Sequence, residues 1–346
     1  MIKVGIIGCG TITRLRHAPE YTENQDAQIV ALYDMNRERA EEIAKEFGGT
    51  VCGSVEELLA MDLDAVSVCT SNNLHAEMTI QALEAGRHVL CEKPMAVSLE
   101  QCEAMVEAAK RAGKKLMLGH NQRFSPAHQE AHRMVAAGEI GRVLSFETKF
   151  GHGGPEVWCG VKHPWFFQKG NAGLGALADL GIHKIDLTHY ILGEQIIQVS
   201  GLVRTLDKTM EDGSPIEVDD NAICTLVTES GAIGNLNVSW TYYGNEKNTF
   251  VVYGSEGVIR CYDDENSSLI LEKDGKTYRY NLEVMVTNAD QTLGNRTSTG
   301  VIDEFISSII EDREPLTSGE ESLKAMRVVF SLVESTKTGL AVQIRS

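Results

Sequence analysis

Short apolar segments alternate with amphipathic ones over the first 120 residues, and this alternation restricts the fold more than any other feature of the chain. Ile2 to Ile7, Gln28 to Tyr33 and Ala65 to Cys69 have the composition of buried strands. Asn36 to Phe47 and Ser98 to Ala112 have the periodicity and the flanking residues of helices. Strands that are separated by helices pair in parallel, with helices on both faces of the sheet. The sequence therefore predicts an α/β fold with a doubly wound parallel sheet.

The pattern changes after about residue 122. From Gln195 to Tyr280 the chain has the period-two alternation of successive strands split by turns, which predicts a large, open and mostly antiparallel sheet. Val301 to Asp312 and Glu320 to Gly339 return to helix. We therefore predict two domains, a dinucleotide-binding domain over residues 1–122 and an α+β domain over residues 123–346.

Charge and cysteine usage narrow the class of protein. The net charge of −17 argues against a nucleic-acid partner and against an anionic membrane surface. No segment offers the roughly 20 apolar residues of a spanning helix, and the amino terminus enters a strand with no leader. The eight cysteines are scattered, without a C-x-x-C pair or metal-like spacing with histidine. We expect a cytoplasmic protein that binds no metal.

A glycine-rich turn follows the first strand. Gly8 and Gly10 leave room for a pyrophosphate on the helix N–H groups that Thr11 and Ile12 begin. Thr13 stands where a third glycine is usual, which affects helix packing and not the approach of a phosphate at Gly10. A lone G-x-G also occurs in ordinary turns, so this motif depends on its context.

Asp34 supplies that context at the end of the second strand. A carboxylate there accepts hydrogen bonds from the ribose and repels a 2′-phosphate, which favours NAD over NADP. Arg37 could pair with such a phosphate, although it also fits the solvated face of the following helix.

Three protonic side chains suggest chemistry on a hydroxyl group. Asp179 and His183 are four residues apart and share one face of a predicted helix. Lys93 follows an apolar strand, at the end where α/β sheets bind ligands. Oxidation of a secondary alcohol needs a base near neutral pH and a cation beside the developing alkoxide, and His183 and Lys93 suit these two functions. An ordinary surface pair on a helix is the alternative interpretation of Asp179 and His183.

The order of motifs is specific enough to indicate a family. The motifs are G-x-G, Asp34, Thr70-Ser71-Asn72 with His75, Glu92-Lys93-Pro94, Arg123-Phe124-x-Pro126 and Asp179-x-Gly181-x-His183-x-x-Asp186. Over nearly the whole chain they resemble the glucose-fructose oxidoreductase/inositol dehydrogenase (Gfo/Idh/MocA) family. Ser71 departs from the proline that family members usually have at this position.

The resemblance implies a Rossmann domain and an α+β domain whose open sheet serves association, so we expect a homodimer or a homotetramer. It implies that Lys93, Asp179 and His183 act at the substrate and that the Lys93–Pro94 bond is cis. Further residues are expected at the cofactor: Thr70, Ser71, Asn72, His75, Glu92, Lys93 and Asn121.

Substrate contacts are expected from a glycine- and tryptophan-rich loop over residues 151–175. Its aromatic and imidazole side chains could stack on a sugar ring or bond its hydroxyls, or they could form a plug or a subunit contact: His152, Trp158, His163 and Trp165. Arg123 could touch substrate or nicotinamide, or it could be a structural anchor. Asp186 could take part in catalysis or hold local structure, and His189 fits packing.

The leading hypothesis is an NAD-dependent oxidoreductase that acts on a ring hydroxyl or ketone of a sugar, a sugar derivative or an inositol. One alternative is an NAD-requiring glycosidase without net redox change, which the same resemblance allows. The other is a non-catalytic regulator that senses a dinucleotide, although such a protein needs neither Lys93 nor His183.

Overall fold

The structure is a computed structural model that describes residues 1–282, 285 and 298–344. The described residues form two compact units, residues 1–121 with 298–323, and residues 122–282 and 285 with 324–344. Of the helices in these ranges, none combines the length and the apolar character that crossing a bilayer requires.

A six-stranded parallel sheet forms the centre of the first unit. Its strands are β1 (Ile2–Ile7), β2 (Ala27–Tyr33), β3 (Thr50–Val51), β4 (Ala65–Val68), β5 (His88–Cys91) and β6 (Leu116–Leu118). Their spatial order is β3-β2-β1-β4-β5-β6, and every neighbouring pair is parallel. The order reverses between β1 and β4, and a sheet of this type binds ligands at the carboxyl ends of those strands. The predicted doubly wound sheet is confirmed.

Within the described residues, six α-helices belong to this unit, and three of them begin directly after a residue whose side chain caps the first turn. They are α1 (Ala18–Glu23), α2 (Arg37–Phe47), α3 (Val55–Leu59), α4 (His75–Glu84), α5 (Leu99–Ala112) and α10 (Val301–Ile310). The side chains of Asn36, Ser54 and Ser98 accept hydrogen bonds from the first turns of α2, α3 and α5. A π-helix, Thr13–His17, precedes α1, so the short helix predicted after the glycine turn begins with a widened turn.

Residues 298–323 pack in the first unit, whereas the sequence division grouped them with the second half of the chain. The reason is an apolar face of α10, where Ile302 and Phe305 are buried. In addition, Glu20 accepts hydrogen bonds from the backbone N–H and the hydroxyl of Thr299, at 2.9 and 3.0 Å. A division of the sequence at one position cannot show that a later segment of the chain packs in the first unit. The domain boundaries themselves stay a prediction.

The second unit is built on a nine-stranded sheet. Its strands are β7 (Val143–Gly151), β8 (Ile196–Arg204), β9 (Asn221–Thr228), β10 (Ile233–Ser239), β11 (Lys247–Gly254), β12 (Gly257–Asp264), β13 (Ser267–Lys273), β14 (Lys276–Tyr280) and β15 (Val342–Gln343). Their order is β14-β13-β12-β11-β7-β10-β9-β8-β15. The β7–β10 pair is parallel and the other neighbouring pairs are antiparallel, which confirms the predicted mostly antiparallel sheet.

The helices that belong to this unit are α6 (Pro126–Ala136), α7 (Pro155–Cys159), α8 (Lys169–Ala172) and α9 (Ile182–Leu192). A second π-helix, Leu177–Gly181, leads directly into α9. The last helix, α11 (Gly319–Thr338), begins in the first unit and continues in the second.

The two faces of the nine-stranded sheet differ. Leu236, Val238 and Trp240 point to the buried face, where Leu236 and Val238 lie close to Gly181 of the π-helix. Ile223 and Ile233 point to the other face and are more than half exposed. This alternation shows that one face of the sheet packs in the core and the other face is exposed.

Candidate active site

The glycine turn at the end of β1 is shaped for close approach to a ligand. Gly8 has a φ of +96°, and a Cβ there would lie 2.5 Å from the carbonyl oxygen of Cys69. A Cβ on Gly10 would meet no atom within 4 Å, so the space over this residue is open. Thr13 is completely buried, and its Oγ1 donates to the Gly8 carbonyl at 2.6 Å. The threonine therefore braces the turn from within and leaves the space at Gly10 open to a phosphate.

Asp34 holds this turn from the neighbouring strand. Its Oδ2 accepts from the Cys9 N–H and its Oδ1 from the Asn36 N–H, both at 2.7 Å. Each carboxylate oxygen keeps a further lone pair, which a ribose hydroxyl could use. Arg37 is exposed and donates to Glu41 at 2.8 Å, as expected on the solvated face of α2. The open space at Gly10 and the remaining lone pairs of Asp34 are compatible with a dinucleotide, and the contacts of these residues, of Arg37, and of Thr11 and Ile12 with NAD stay a prediction.

The loop after β4 is attached to the segment after β5 through His75. The His75 ring lies 2.8 Å from the carbonyl oxygen of Pro94 and 3.1 Å from that of Thr70. Burial lowers the pKa of His75 and outweighs these contacts, so the ring is neutral and donates to one carbonyl at a time. Asn72 is buried in the same loop, and Ser71 bonds Asn73 at 2.7 Å. The residues expected at the cofactor in this loop thus lie together.

Glu92 forms a buried ion pair that sequence analysis missed. His17, in the first π-helix, lies with Nε2 2.9 Å from Glu92 Oε1, and Glu92 Oε2 accepts from the Lys93 N–H at 3.3 Å. Although burial opposes it, contact with Cys69 and Glu92 raises the pKa of His17 well above its ordinary value. His17 in turn lowers the pKa of Glu92, also against burial. The two shifts agree with an imidazolium–carboxylate pair directly before Lys93.

A small cavity lies beside this pair within the first unit. Polar side chains contribute to its lining, among them Arg16, Glu20, Glu92 and Asn121. The Lys93–Pro94 peptide bond is cis, as the resemblance implied. Lys93 therefore follows a carboxylate that is fixed on both oxygens.

In the second unit, Asp179 and His183 are both buried at the start of the helix that ends in α9. Asp179 lies in the π-helix and not in a regular α-helix as predicted, so the turn between the two residues is wider. Trp240 Nε1 donates to Asp179 Oδ2 at 3.1 Å. The His183 ring packs against Phe150, with the ring centroids 6.0 Å apart. Trp240 therefore orients the Asp179 carboxylate, and Phe150 restricts the orientation of the His183 ring.

The backbone before Asp179 is fixed by a distant carboxylate, a contact that the sequence does not reveal. Asp219 accepts from the N–H groups of Gly175 and Leu177 at 2.8 and 2.7 Å. A Cβ on Gly175 would lie 1.8 Å from the Asp219 carbonyl oxygen, so only glycine fits there. Burial raises the pKa of Asp219 to about 6 despite these hydrogen bonds.

The predicted substrate loop is an aromatic cluster. The Phe166 ring stacks on Trp165 at 3.9 Å and meets the edge of Trp158 at 5.6 Å. His152, at the end of β7, accepts the Gly154 N–H on Nδ1 at 2.9 Å, so its neutral form carries the proton on Nε2. His163 is half-buried in the same loop. The substrate contacts of these residues stay a prediction.

Arg123 and Asp186 form a buried ion pair in the second unit. His189 accepts the Ile196 N–H on Nε2 at 3.2 Å, which fits the packing function expected of it. The described residues contain no group of three or more His, Cys, Asp or Glu side chains that could hold a metal ion.

Comparison with known proteins gives two matches to one family. The family described as "Oxidoreductase family, NAD-binding Rossmann fold" matches residues 2–120, and the "GFO/IDH/MocA C-terminal domain" matches residues 128–260. The chain is 31% identical to scyllo-inositol 2-dehydrogenase (NAD(+)) of Bacillus subtilis, over 99% of this chain and 96% of that protein.

Two further comparisons concern levoglucosan dehydrogenase. The chain is 32% identical to the enzyme of Pseudarthrobacter phenanthrenivorans over 65% of this chain, and it spans only 63% of that relative's length. A solved structure described as levoglucosan dehydrogenase in complex with NADH and levoglucosan superposes with a TM-score of 0.85. The sequence identity to that structure is 26%, and the superposition covers 100% of each chain.

Proposed function

The chain belongs to the Gfo/Idh/MocA oxidoreductase family, and on that premise we propose that it is an NAD-dependent enzyme that oxidises or reduces a ring carbon of a sugar or polyol. The hydride moves between that carbon and the nicotinamide, and Lys93 and His183 handle the proton of the hydroxyl. The observation that carries the proposal is the buried Asp179–His183 segment, in which Trp240 orients the carboxylate beside an imidazole.

Each residue then has a separate function. NAD, when bound, accepts the hydride in the oxidative direction. His183 takes the hydroxyl proton, since an imidazole titrates near neutral pH. The Lys93 ammonium stabilises the negative charge that develops on the substrate oxygen. Asp179, which accepts a hydrogen bond from the Trp240 indole, orients His183 or accepts a hydrogen bond from a neighbouring substrate hydroxyl.

The cofactor residues support NAD over NADP. A carboxylate at Asp34 would repel a 2′-phosphate on the ribose, and Arg37 donates to Glu41. In the reaction this carboxylate binds the ribose and takes no part in proton transfer.

The substrate class follows from the aromatic cluster and from the relatives. Trp158, Trp165 and Phe166 offer ring faces of the kind that stack on the apolar side of a pyranose or cyclitol. Relatives carry the names of dehydrogenases of levoglucosan and of scyllo-inositol. We therefore place the reaction at a secondary ring hydroxyl of a neutral sugar, sugar derivative or inositol.

A substrate screen tests the proposal. The protein is mixed with NAD or NADP and with a panel of hexopyranoses, glycosides, sugar phosphates and inositols, and absorbance at the NADH band is followed. Net NADH formation with one panel member, lost in Lys93→Ala and His183→Ala, supports it. Release of an aglycone without net NADH would instead show the redox-neutral glycosidase. Tight NAD binding without turnover of any panel member would favour the non-catalytic regulator.

A further inference from the structure

Lys184 is the most unusual buried side chain of the second unit. It follows His183 on α9, and its relative exposure is 0%. Lysine is almost never fully buried unless an acidic group pairs with it. Its Nζ donates to the neutral Gln122 Oε1 at 3.2 Å, and it takes part in no ion pair within the described part of the chain. The proposed reaction assigns this amine no function.

The surroundings of Lys184 are mostly apolar or neutral. Its Nζ lies 5.7 Å from the centroid of the Phe150 ring. Burial lowers the pKa of Lys184 to about 7, against the opposing influence of Cys261 and Glu246. The amine therefore changes its charge in the same pH range in which an ordinary histidine does.

A neighbouring imidazole already shows the influence of this charge. His128, on α6, is completely buried, and its Nδ1 contacts the Gln122 carbonyl oxygen at 2.8 Å. Burial first, and the charge of Lys184 second, lower the pKa of His128 to about 3. An ammonium in this position thus disfavours a second positive charge near it.

His183 lies within reach of the same charge. Its ring and the Lys184 amine contact the same Phe150 ring, at 6.0 and 5.7 Å from the centroid. The two groups are therefore at most about 12 Å apart, and at an effective dielectric of about 20 a unit charge at that distance shifts a titration by about one pH unit.

We propose that Lys184 influences the reaction through the protonation state of His183. Its buried ammonium disfavours protonation of that imidazole, and His183 therefore stays in the neutral form that accepts the substrate proton. Lys184 is a positioning residue and has no contact with substrate. The inference rests on the proposed function in one respect only, the assignment of His183 as the base.

Two other charged groups lie on the same helical segment as His183. Asp179 lies one turn before it and favours its protonation, because the neutral indole of Trp240 donates to this carboxylate without cancelling its charge. The influence of Lys184 opposes that of Asp179. Asp186 lies one turn after it and is paired with Arg123. His152 contacts the far edge of Phe150, with centroids 5.8 Å apart.

The groups that face Lys184 itself come from three other elements. They are Gln122 before α6, His128 on α6 and Cys261 on β12, with Glu246 near the start of β11. Burial raises the pKa of the Cys261 thiol to about 12, so it is neutral where Lys184 titrates. None of these groups cancels the ammonium within contact distance.

The test is an NMR titration of the His183 ring in the full-length protein without substrate, with the signal assigned by its loss in His183→Gln. Lys184→Met removes the charge and keeps a side chain of similar volume. We expect the titration midpoint of the His183 ring to rise by about half to one pH unit in this variant. Lys184→Gln, which keeps a polar end, should give the same rise. Thr188→Val is the matched control, because Thr188 is equally buried one turn further and its Oγ1 donates to the Lys184 carbonyl at 2.8 Å.

The outcome separates this inference from the proposed function. If both Lys184 variants leave the midpoint unchanged, or if Thr188→Val moves it equally, the inference is wrong even where the enzyme turns over sugars. If the midpoint rises but no panel member is oxidised, the inference stands and the proposed function fails. With a substrate in hand, the acidic limb of the kcat/KM profile should move by the same amount as the midpoint.

Discussion

The Arg123 guanidinium donates two parallel hydrogen bonds to the Asp186 carboxylate, from Nε to Oδ2 at 2.8 Å and from Nη2 to Oδ1 at 2.7 Å. Both side chains are almost completely buried, and the guanidinium also lies 5.3 Å over the Tyr190 ring. A buried, bidentate pair of this kind fixes the segment before α6 against α9. The geometry thus favours an anchor, one of the two functions that the sequence left open for Arg123.

Breaking this pair should destabilise the protein. Arg123→Met or Asp186→Leu alone leaves a buried charge without its partner, which typically costs about 3–5 kcal/mol of unfolding free energy. The double variant should recover a large part of that loss, since it leaves no charge behind. Denaturant unfolding followed by tryptophan fluorescence measures all three. Single variants that unfold at the wild-type midpoint would contradict the anchor.

Lys93→Ala and His183→Ala should each lower turnover by a factor on the order of 100 or more, because both groups act on the transition state. Affinity for NAD should stay within a few-fold, measured by quenching of protein fluorescence. Asp179→Asn should cost less if Asp179 only orients. Lys45→Ala, an exposed change on α2, is the control. Wild-type turnover in either main variant would remove that residue from the mechanism.

Asp34 should decide between the two cofactors. In the wild type we expect a clear preference for NAD, and Asp34→Ala should weaken NAD binding while it reduces discrimination against NADP. The same change removes one hydrogen bond to the glycine turn, from the Cys9 N–H, and one to the start of α2, from the Asn36 N–H, so some loss of stability is expected with it. Arg37→Ala should leave both affinities unchanged. Saturation assays with each cofactor measure this, and a wild-type preference for NADP would overturn the assignment.

The sequence predicts local features of the site better than contacts between residues that are far apart in the chain. The glycine turn and Asp34 could be predicted, because each depends on its own strand end. His17, Trp240 and Asp219 could not, since they contact Glu92, Asp179 and Gly175 from positions 44 to 75 residues away in the sequence. The widened turn at Asp179 also escaped prediction, because a π-helix and an α-helix share the same periodic pattern over so few residues. The lysine between His183 and Ile185, in a mostly apolar helical segment, is the sequence signal that could have drawn attention to Lys184.

Lys184 should lower stability in a pH-dependent way. Its folded-state pKa of about 7 lies below the ordinary value of 10.5, so the unfolded chain binds the proton more tightly. The stability of the wild type therefore rises between about pH 7 and pH 10 and is lost again as the pH falls. Lys184→Met should be more stable than the wild type by an amount on the order of a few kcal/mol at pH 7 and below. Thermal unfolding at pH 6, 8 and 10 checks this, and an equal difference at all three values would show that burial does not perturb the amine.

The outer face of the nine-stranded sheet should mediate association. Leu202 on β8 is in register with Ile223 on β9, and Ile233 on β10 is in register with Val227, so two apolar pairs lie on this face, on either side of the polar residue Thr225. Ile223 and Ile233 are 62% and 55% exposed, and an apolar patch on a flat sheet is typical of a subunit interface.

We therefore expect a homodimer, or a tetramer of two such dimers, and Ile223→Glu with Ile233→Glu should dissociate it, because carboxylates resist burial in an interface. Ile310→Glu, at the same 55% exposure on α10 of the first unit, is the matched control and should leave the assembly intact. Light scattering at micromolar concentration gives the mass, against 37.9 kDa for one chain. A monomeric wild type would show that this face is exposed for another reason, and dissociation by Ile310→Glu alone would move the interface to the first unit.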